Sequence, residues 1–328
     1  MKSKLKKKIA ITAAIFIALY FLAGIFAAFF MINCFVKRPA KGWPDPFLHL
    51  SGTRAPFEKE LTESKEWLSE KNPEQVSVTS FDNLKLTALV LEAENPEKAS
   101  GTIVFMHGYH SRAYFEFSGF YQYFYKKNYN IILADQRSHG NSEGDFLTFG
   151  IKERYDCKRW IEFANKRFSE EKPVYLCGVS MGCSTVLMTL GLDLPKNVKG
   201  VIADCGYTSP AEIVSLCIKR DYHLPSVLFM PFINLGMRIK CGYSLYEYSV
   251  QKALEENQIP ILFVHGTNDK FVPFYMGKAN YESCKAPKKF LQTDAGHAVS
   301  FLHDTKEYTA ALDEFLKSTS GISQQANQ

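Results

Sequence analysis

The sequence has no internal repeat, no cysteine–histidine cluster at zinc-binding spacing, and no excess of charge beyond its first residues. Without a repeat of roughly 20–50 residues, a solenoid or propeller fold is not expected. Without metal-binding spacing, no zinc site is expected, and nothing in the sequence implies an organic cofactor. The 328 residues, of which 46% are hydrophobic, suffice for one large core but not for two full-sized catalytic domains.

The charge balance excludes nucleic acid as an expected partner. The chain has 39 basic and 34 acidic residues, and residues 1–8 contain five of the lysines and no acid. The rest of the chain therefore carries equal numbers of positive and negative residues. Nucleic-acid binding depends mainly on clustered lysine and arginine, so the body is not expected to bind it.

The eight cysteines lack the spacing of a disulfide framework, and a chain of this length does not need disulfides to be stable. Cys177, Cys183 and Cys205 lie in apolar stretches, where cysteine behaves as a small hydrophobic residue. We therefore expect most of the cysteines to be free thiols.

The segment 9–32 is an uncharged run of 24 residues. As a helix it would be about 36 Å long, enough to cross a hydrocarbon core of about 30 Å. The apolar region of a cleavable signal peptide is shorter, about 7–15 residues, and is followed by a small-x-small site that is missing here. The sequence thus predicts an uncleaved transmembrane helix at 9–32 after a basic tail at 1–8.

The flanking charges predict the orientation of this single span in the cell membrane. Five lysines precede the span, whereas Lys37, Arg38 and Lys41 follow it. The positive-inside rule places the N-terminus in the cytoplasm and the body of the chain on the extracytoplasmic side. The lipid bilayer is therefore an expected partner of the chain.

The rest of the chain divides into three segments. Residues 33–75 are predicted to form a proline-containing juxtamembrane linker and a short amphipathic helix at 57–71. Residues 76–318 are predicted to form one α/β domain, and residues 319–328 a C-terminal tail.

Within the domain, a hairpin is followed by short apolar runs that alternate with longer amphipathic stretches. This alternation is typical of βαβ units and predicts a mostly parallel central sheet with helices on both faces. The predicted strands after the hairpin are Thr102–Met106, Ile131–Ala134, Val174–Cys177, Val201–Ala203, Ile261–Val264 and Lys288–Leu291. The predicted helices are 114–127, 151–168, 183–192, 275–284 and 299–317. Residues 207–256, which are too long for one crossover helix and contain three prolines, predict a helical cap over the carboxyl edge of the sheet.

A nucleophile motif follows the third of these strands. Gly178-x-Ser180-x-Gly182 lies between a predicted strand and a predicted helix, the context in which such a serine is held on a strained turn. A serine hydroxyl is a poor nucleophile without a base, and His297 lies in a loop after the last predicted strand. His303 is the alternative base, but it falls within the next predicted helix.

An acid is needed to orient the histidine and stabilise its cation. Asp269 follows the predicted strand Ile261–Val264, and Asp204, which follows the preceding strand, is the alternative. The order serine, aspartate, histidine favours Asp269. The oxyanion hole needs two backbone N–H groups. We expect these from Met181 and from Tyr109, with the next residue in that loop, His110, as the alternative to Tyr109.

Five motifs together resemble the α/β-hydrolase superfamily, and most of all the bacterial hydrolases related to the serine aminopeptidase and monoacylglycerol-lipase group. They are His107-Gly108, the segment 135–142, Gly178–Gly182, His265-Gly-x-x-Asp269 and Gly296-His297. The resemblance covers roughly residues 76–318 and implies the α/β-hydrolase fold. Ser138 departs from it, because the family usually has glycine there. No triple-glycine oxyanion stretch is present, which disfavours the hormone-sensitive-lipase-like branch.

These residues predict a serine hydrolase that cleaves carboxylic esters through an acyl-enzyme, with a small-molecule ester or short peptide as substrate. A peptidase of the serine aminopeptidase type is the main alternative, and it would need a cap carboxylate such as Glu212 or Asp221 to bind an amine. Thioesterase and acyltransferase activities also remain open. The alternative outside enzymes is a catalytically silent binding module.

Overall fold

A computed structural model describes residues 2–38 and 52–320 of the chain. Its centre is an eight-stranded sheet in the order β1-β2-β4-β3-β5-β6-β7-β8. The strand β2 pairs antiparallel with both β1 and β4, and the other five strand pairs are parallel, which confirms the predicted mostly parallel sheet. The strands are β1 (Glu74–Thr79), β2 (Lys85–Leu91), β3 (Gly101–Met106), β4 (Tyr129–Asp135), β5 (Val174–Val179), β6 (Val198–Asp204), β7 (Ile261–Gly266) and β8 (Lys288–Thr293).

Helices cover both faces of the sheet, each over its own buried apolar cluster. The strands β3 to β7 are buried on both faces, which explains their nearly continuous apolar sequences. The helices are α1 (Lys2–Met31), α2 (Glu58–Glu70), α3 (Ala113–Glu116), α4 (Phe120–Lys126), α5 (Glu153–Arg167), α6 (Met181–Thr189), α7 (Pro210–Tyr222), α8 (Ser226–Gly236), α9 (Val250–Glu255), α10 (Phe274–Ser283), α11 (Ser300–His303) and α12 (Thr305–Ser320).

Two predicted helices are interrupted in the structure. The segment 114–127 is divided between α3 and α4 because Gly119 adopts φ +79°, which is outside the right-handed helical region. The segment 299–317 is divided at Asp304, whose φ of −125° and ψ of 48° break the helix. Amphipathic periodicity continues across both interruptions, so it does not reveal them.

The segment 207–256 forms three helices, α7, α8 and α9, with a π-helical turn at Met237–Cys241 after α8. The Ser209 side chain accepts a hydrogen bond from the Glu212 amide and thereby caps the start of α7. Ser249 caps α9 in the same way.

The N-terminal helix α1 is continuous from Lys2 to Met31, and it is long and apolar enough to cross a membrane by length and composition. It runs into a π-helical turn at Ile32–Val36. Ile32 and Val36 are buried in the same apolar cluster as the sheet, and the Leu147 amide donates to the Val36 carbonyl at 3.0 Å. The first residues of the predicted linker are thus packed against the body. The linker segment 39–51 and the end of the C-terminal tail, 321–328, lie outside the described residues.

Candidate active site

Ser180 lies in the sharp turn between β5 and α6. Its φ of 56° and ψ of −119° are strained for a residue with a side chain. The turn requires glycine on both sides: a Cβ at Gly178 would meet the Gly182 carbonyl, and a Cβ at Gly182 would meet that of Met106. The two glycines of the predicted motif therefore allow the sharp turn at Ser180, and α6 begins directly after it.

The structure brings Ser180 together with His297 and Asp269. The His297 Nε2 atom is 2.9 Å from the Ser180 Oγ atom, and the His297 Nδ1 atom is 2.6 Å from Asp269 Oδ2. A carboxylate only accepts hydrogen bonds, so Nδ1 carries the proton and Nε2 is left to accept the serine hydroxyl proton. All three side chains are largely buried.

Asp269 is held as an ionised acceptor. Its Oδ1 atom accepts hydrogen bonds from the Phe271 and Val272 amides at 2.8 and 2.9 Å. Burial raises the pKa of this carboxyl group, but the neighbouring His297 and His265 outweigh burial and hold the pKa below its ordinary value. The loop after β7 thus fixes the carboxylate in both position and charge.

The alternative acid and base have different partners. Asp204 Oδ2 accepts a hydrogen bond from the Tyr308 hydroxyl at 3.2 Å, and complete burial raises the Asp204 pKa to about 6 against the opposing effect of His265. Among the described residues, Asp204 Oδ1 has no hydrogen-bond partner. His303 lies at the end of α11, with its Nδ1 atom 3.1 Å from Asp304.

The loop after β3 lies against the serine. A Cβ at Gly108 would be 3.3 Å from the Ser180 Cβ. The His110 amide donates a hydrogen bond to His139 Nε2 at 3.1 Å, so the alternative oxyanion donor is already engaged. The Tyr109 hydroxyl donates to the Phe35 carbonyl at 2.7 Å, which connects this loop to the turn that follows α1.

Two buried histidines hold the loop in place. His107 Nε2 accepts the Gln136 amide at 3.0 Å, and His107 Nδ1 donates to the Gly108 carbonyl at 2.7 Å. His139 Nδ1 donates to the Arg137 carbonyl at 2.8 Å, which leaves its Nε2 atom as an acceptor. Burial lowers the pKa of both histidines, so both are neutral. The turn that carries His139 also contains Ser138, whose φ of +64° explains why glycine is usual at that position.

Thr53 and Arg54, which precede α2, support the loop of His297. The Arg54 guanidinium donates to the Phe115 and Ala298 carbonyls at 3.3 and 3.2 Å and pairs with Glu116. The Thr53 hydroxyl donates to the His297 carbonyl at 3.5 Å. Sequence reasoning missed these residues and also His139, because their partners lie far away along the chain.

Three side chains at the candidate active site lie close enough together to bind one metal ion. One ligand atom each of Cys205, Asp269 and His297 lies within 4.8 Å of the others. However, both nitrogens of His297 already have hydrogen-bond partners, and burial raises the pKa of the Cys205 thiol well above its usual range. This set therefore fits a hydrogen-bonded triad better than a thiolate metal centre. All eight cysteines are free thiols in the structure.

Comparison with known proteins agrees with this architecture. A family model described as serine aminopeptidase, S33, matches residues 97–230, about two fifths of the chain. The esterase Pf2001 of Pyrococcus furiosus superposes with a TM-score of 0.64 at 22% identity, over 88% of this chain and 99% of that one. Est1E of Butyrivibrio proteoclasticus, with bound ferulic acid, has a TM-score of 0.57 at 18% identity over 74% of this chain and 98% of that one.

Two sequence relatives extend the comparison. YqkD of Bacillus subtilis is 24% identical over 248 residues, covering 72% of this chain and 81% of that protein. The mouse protein called lysophosphatidylserine lipase ABHD12 is 22% identical over 201 residues, covering 57% of this chain and 48% of its own length. The fold and these matches together define a serine hydrolase of the α/β type. The fold is that of the α/β-hydrolase superfamily, as the motifs predict.

Proposed function

We propose that the protein hydrolyses carboxylic esters through an acyl-enzyme formed on Ser180. The observation that carries this proposal is the hydrogen-bond chain from Ser180 Oγ through His297 to Asp269, at the strained turn of an α/β-hydrolase. His297 Nε2 takes the hydroxyl proton while Ser180 Oγ attacks the ester carbonyl. The backbone amides of Met181 and Tyr109 stabilise the oxyanion.

The same histidine completes the reaction. His297 gives its proton to the departing alcohol, and the acyl group remains on Ser180 as an ester. A water molecule then enters, loses a proton to His297 and attacks the acyl carbonyl. Collapse of the second tetrahedral intermediate releases the carboxylic acid and returns the proton to Ser180. Throughout, Asp269 stabilises the imidazolium that forms on His297 and keeps its Nδ1 atom protonated.

Ser180→Ala tests this mechanism with two readouts, labelling by a fluorophosphonate probe and turnover of p-nitrophenyl esters. We expect no labelling and a fall in kcat on the order of 10⁵–10⁶, with little change in the thermal midpoint. Ser184→Ala, one turn along the same helix, is the matched control, because the Ser184 hydroxyl bonds to Tyr207 and not to His297. Labelling that persists in Ser180→Ala would show that another residue is the nucleophile.

A peptidase activity is the second candidate, because the matching family model is described as serine aminopeptidase. Such an enzyme needs a carboxylate to bind the substrate amine. Asp221 is paired with Arg220, which leaves it poorly suited, whereas Glu212 accepts from the Thr208 and Tyr275 hydroxyls. A panel of aminoacyl-anilides beside the p-nitrophenyl esters separates the two activities. Faster turnover of the anilides, lost in Glu212→Gln, would favour the peptidase.

We further infer that α1 anchors the protein as a single membrane span, with the N-terminus in the cytoplasm and the body outside. The large apolar side chains of α1 are mostly exposed, and five lysines precede the apolar run. The protein should remain with membranes through washes in carbonate and about 1 M salt, because salt screens lysine contacts but not a buried helix. Protease added outside intact spheroplasts should digest the body. Protection of the body would reverse the orientation.

A further inference from the structure

The outer surface of the cap helix α8 is apolar and exposed. Residues 224–237 form a run of 14 without a charged side chain. Val227 is 76% exposed, and Ile239, in the following π-helical turn, is 77% exposed. Single exposed apolar residues are normal on a soluble protein, but a whole exposed helix face that is apolar marks an interaction surface. Leu224, Leu228 and Leu235 extend this surface.

The helix α1 lies alongside α8 and leaves this surface uncovered. The Tyr20 hydroxyl donates to the Leu228 carbonyl at 3.0 Å. The Phe232 ring lies over Gly24, where no Cβ would fit, and Gly236 lies against Ala28 and Ile32 on α1. The two helices therefore run parallel, with the start of α8 beside Tyr20 and its end beside Ile32.

Polar groups on α8 point inward, toward the protein. The Ser226 hydroxyl bonds to the Ser215 hydroxyl at 2.7 Å. Asn234 Oδ1 accepts from the Ser244 hydroxyl at 3.0 Å and the Leu245 amide at 2.8 Å. The Ser226 hydroxyl and the Asn234 carbonyl oxygen thus have partners within the protein, which lowers the cost of placing α8 in hydrocarbon.

The charged residues next to α8 lie beside Ile32, where the apolar run of α1 ends. Arg238 and Lys240 follow α8, at the level of Ile32. Tyr222, which precedes the uncharged run, contacts Phe30 and Phe35 near the same level. From Tyr20 to Ile32, α1 rises about 18 Å, roughly half of a hydrocarbon core of about 30 Å. Tyr222 and Arg238 thus both lie near the level of Ile32, and the uncharged run 224–237 between them lies along the apolar part of α1.

We propose that α8 is embedded in one leaflet of the bilayer beside α1, so that the cap is itself a membrane element. The inference rests on the proposed anchoring of α1. Lipid acyl chains are the occupant that fits, because the exposed face of α8 continues the apolar surface of α1 and the same medium must cover both.

This placement connects the bilayer to the candidate active site. The helix α7 precedes α8, and its Arg220 donates to the Lys270 and Phe271 carbonyls at 2.8 Å each. The Phe271 ring centre lies 5.0 Å from that of His297. An embedded α8 therefore holds the site at the membrane surface, where esters that partition into that leaflet reach it.

Quenching of a fluorophore by lipid tests the placement. Single cysteines at Phe16, Val227, Ile239 and Glu171 are labelled with NBD in full-length protein that also carries Cys34→Ser and Cys217→Ser. The protein is reconstituted in phosphatidylcholine vesicles that contain doxyl-labelled lipid. Phe16 reports on α1, and Glu171, which is exposed in the turn before β5, is the aqueous control.

We expect mid-chain doxyl lipid to quench labels at Phe16 and Val227, and headgroup-proximal doxyl lipid to quench the label at Ile239. Quenching at Phe16 with no quenching at Val227 would overturn the placement of α8 while leaving the anchor intact. No quenching at Phe16 would overturn the anchor and the placement together. A Val227 label shielded from both lipid quencher and aqueous iodide would also overturn the proposal, because another protein surface would then cover α8.

A charge on α8 provides the functional test. Val227→Asp should lower the rate on a vesicle-borne ester relative to soluble p-nitrophenyl acetate by about tenfold or more, since hydrocarbon strongly opposes an aspartate. Tyr246→Asp is the matched control, because Tyr246 is exposed on the cap outside α8. An unchanged ratio in Val227→Asp, or an equal fall in Tyr246→Asp, would contradict the proposal.

Discussion

Asp269→Asn is the substitution that examines the candidate site most directly. The asparagine side chain has nearly the same shape, and its carbonyl oxygen can still accept the Phe271 and Val272 amides. Its NH₂ group then faces His297 Nδ1, which must become the acceptor. The histidine proton moves to Nε2, so Nε2 is no longer able to accept the proton of Ser180.

The expected loss follows from this change of tautomer. In serine proteases the equivalent change lowers kcat by about 10⁴. At about 1.36 kcal/mol per tenfold change, this corresponds to about 5.4 kcal/mol in the activation barrier. The assay is kcat on a soluble p-nitrophenyl ester, with the thermal midpoint as a check on folding.

Asp204→Asn is the matched control, because Asp204 is buried nearby but bonds to Tyr308. We expect its kcat to remain within about tenfold of wild type, since the substitution leaves the bonds of His297 in place. A fall of about 10⁴ in Asp204→Asn, with Asp269→Asn close to wild type, would refute the assignment of the acid.

Three further predictions concern stability and positioning. Burial raises the pKa of Asp204 to about 6 in the folded state, above the ordinary aspartate value of 3.8, so between these pH values the folded state keeps a proton that the unfolded state loses. As pH rises through this window, ionisation of Asp204 lowers the free energy of unfolding by on the order of 3 kcal/mol in total. The thermal midpoint of Asp204→Asn should therefore exceed that of wild type by more at pH 8 than at pH 4. His139→Ala should lower kcat with little change in KM, because His139 holds the loop beside Ser180; a change in KM alone would contradict this role. Protein lacking residues 1–40 should unfold at lower urea concentration than protein lacking residues 1–31, because the fully buried Val36 contributes about 1.5–3 kcal/mol; equal midpoints would refute this.

The sequence predicts the sheet correctly because the strands are encoded locally, and the candidate triad is inferred from the same local pattern. Each parallel strand is a short apolar run, and Ser180, Asp269 and His297 each follow such a run. Since the carboxyl ends of parallel strands meet at one edge of the sheet, position after a strand is enough to bring these residues near each other. Their hydrogen bonds in the structure are consistent with that reasoning.

Interactions between distant segments could not be predicted in this way. The bonds of Thr53 to His297 and of Arg54 to Ala298 each join residues 244 positions apart. No local sequence pattern identifies Thr53 or Arg54, because the carbonyl that accepts each hydrogen bond lies far away along the chain. The packing of Val36 was missed for the same reason: the nearby prolines and charges predict a linker, whereas the burial of this valine depends on the body.

The pairing of α1 with α8 has a consequence for how the protein is made. Tyr20 and Leu228, which are bonded in the folded protein, are separated by 208 residues. Synthesis at about 5–20 residues per second places on the order of 10–40 s between the appearance of these two residues. The helix α1 therefore emerges from the ribosome before most of the sheet is synthesised. Packing of α8 against α1 is therefore a late step that joins distant parts of the chain, and the surface of α1 that binds α8 is made first.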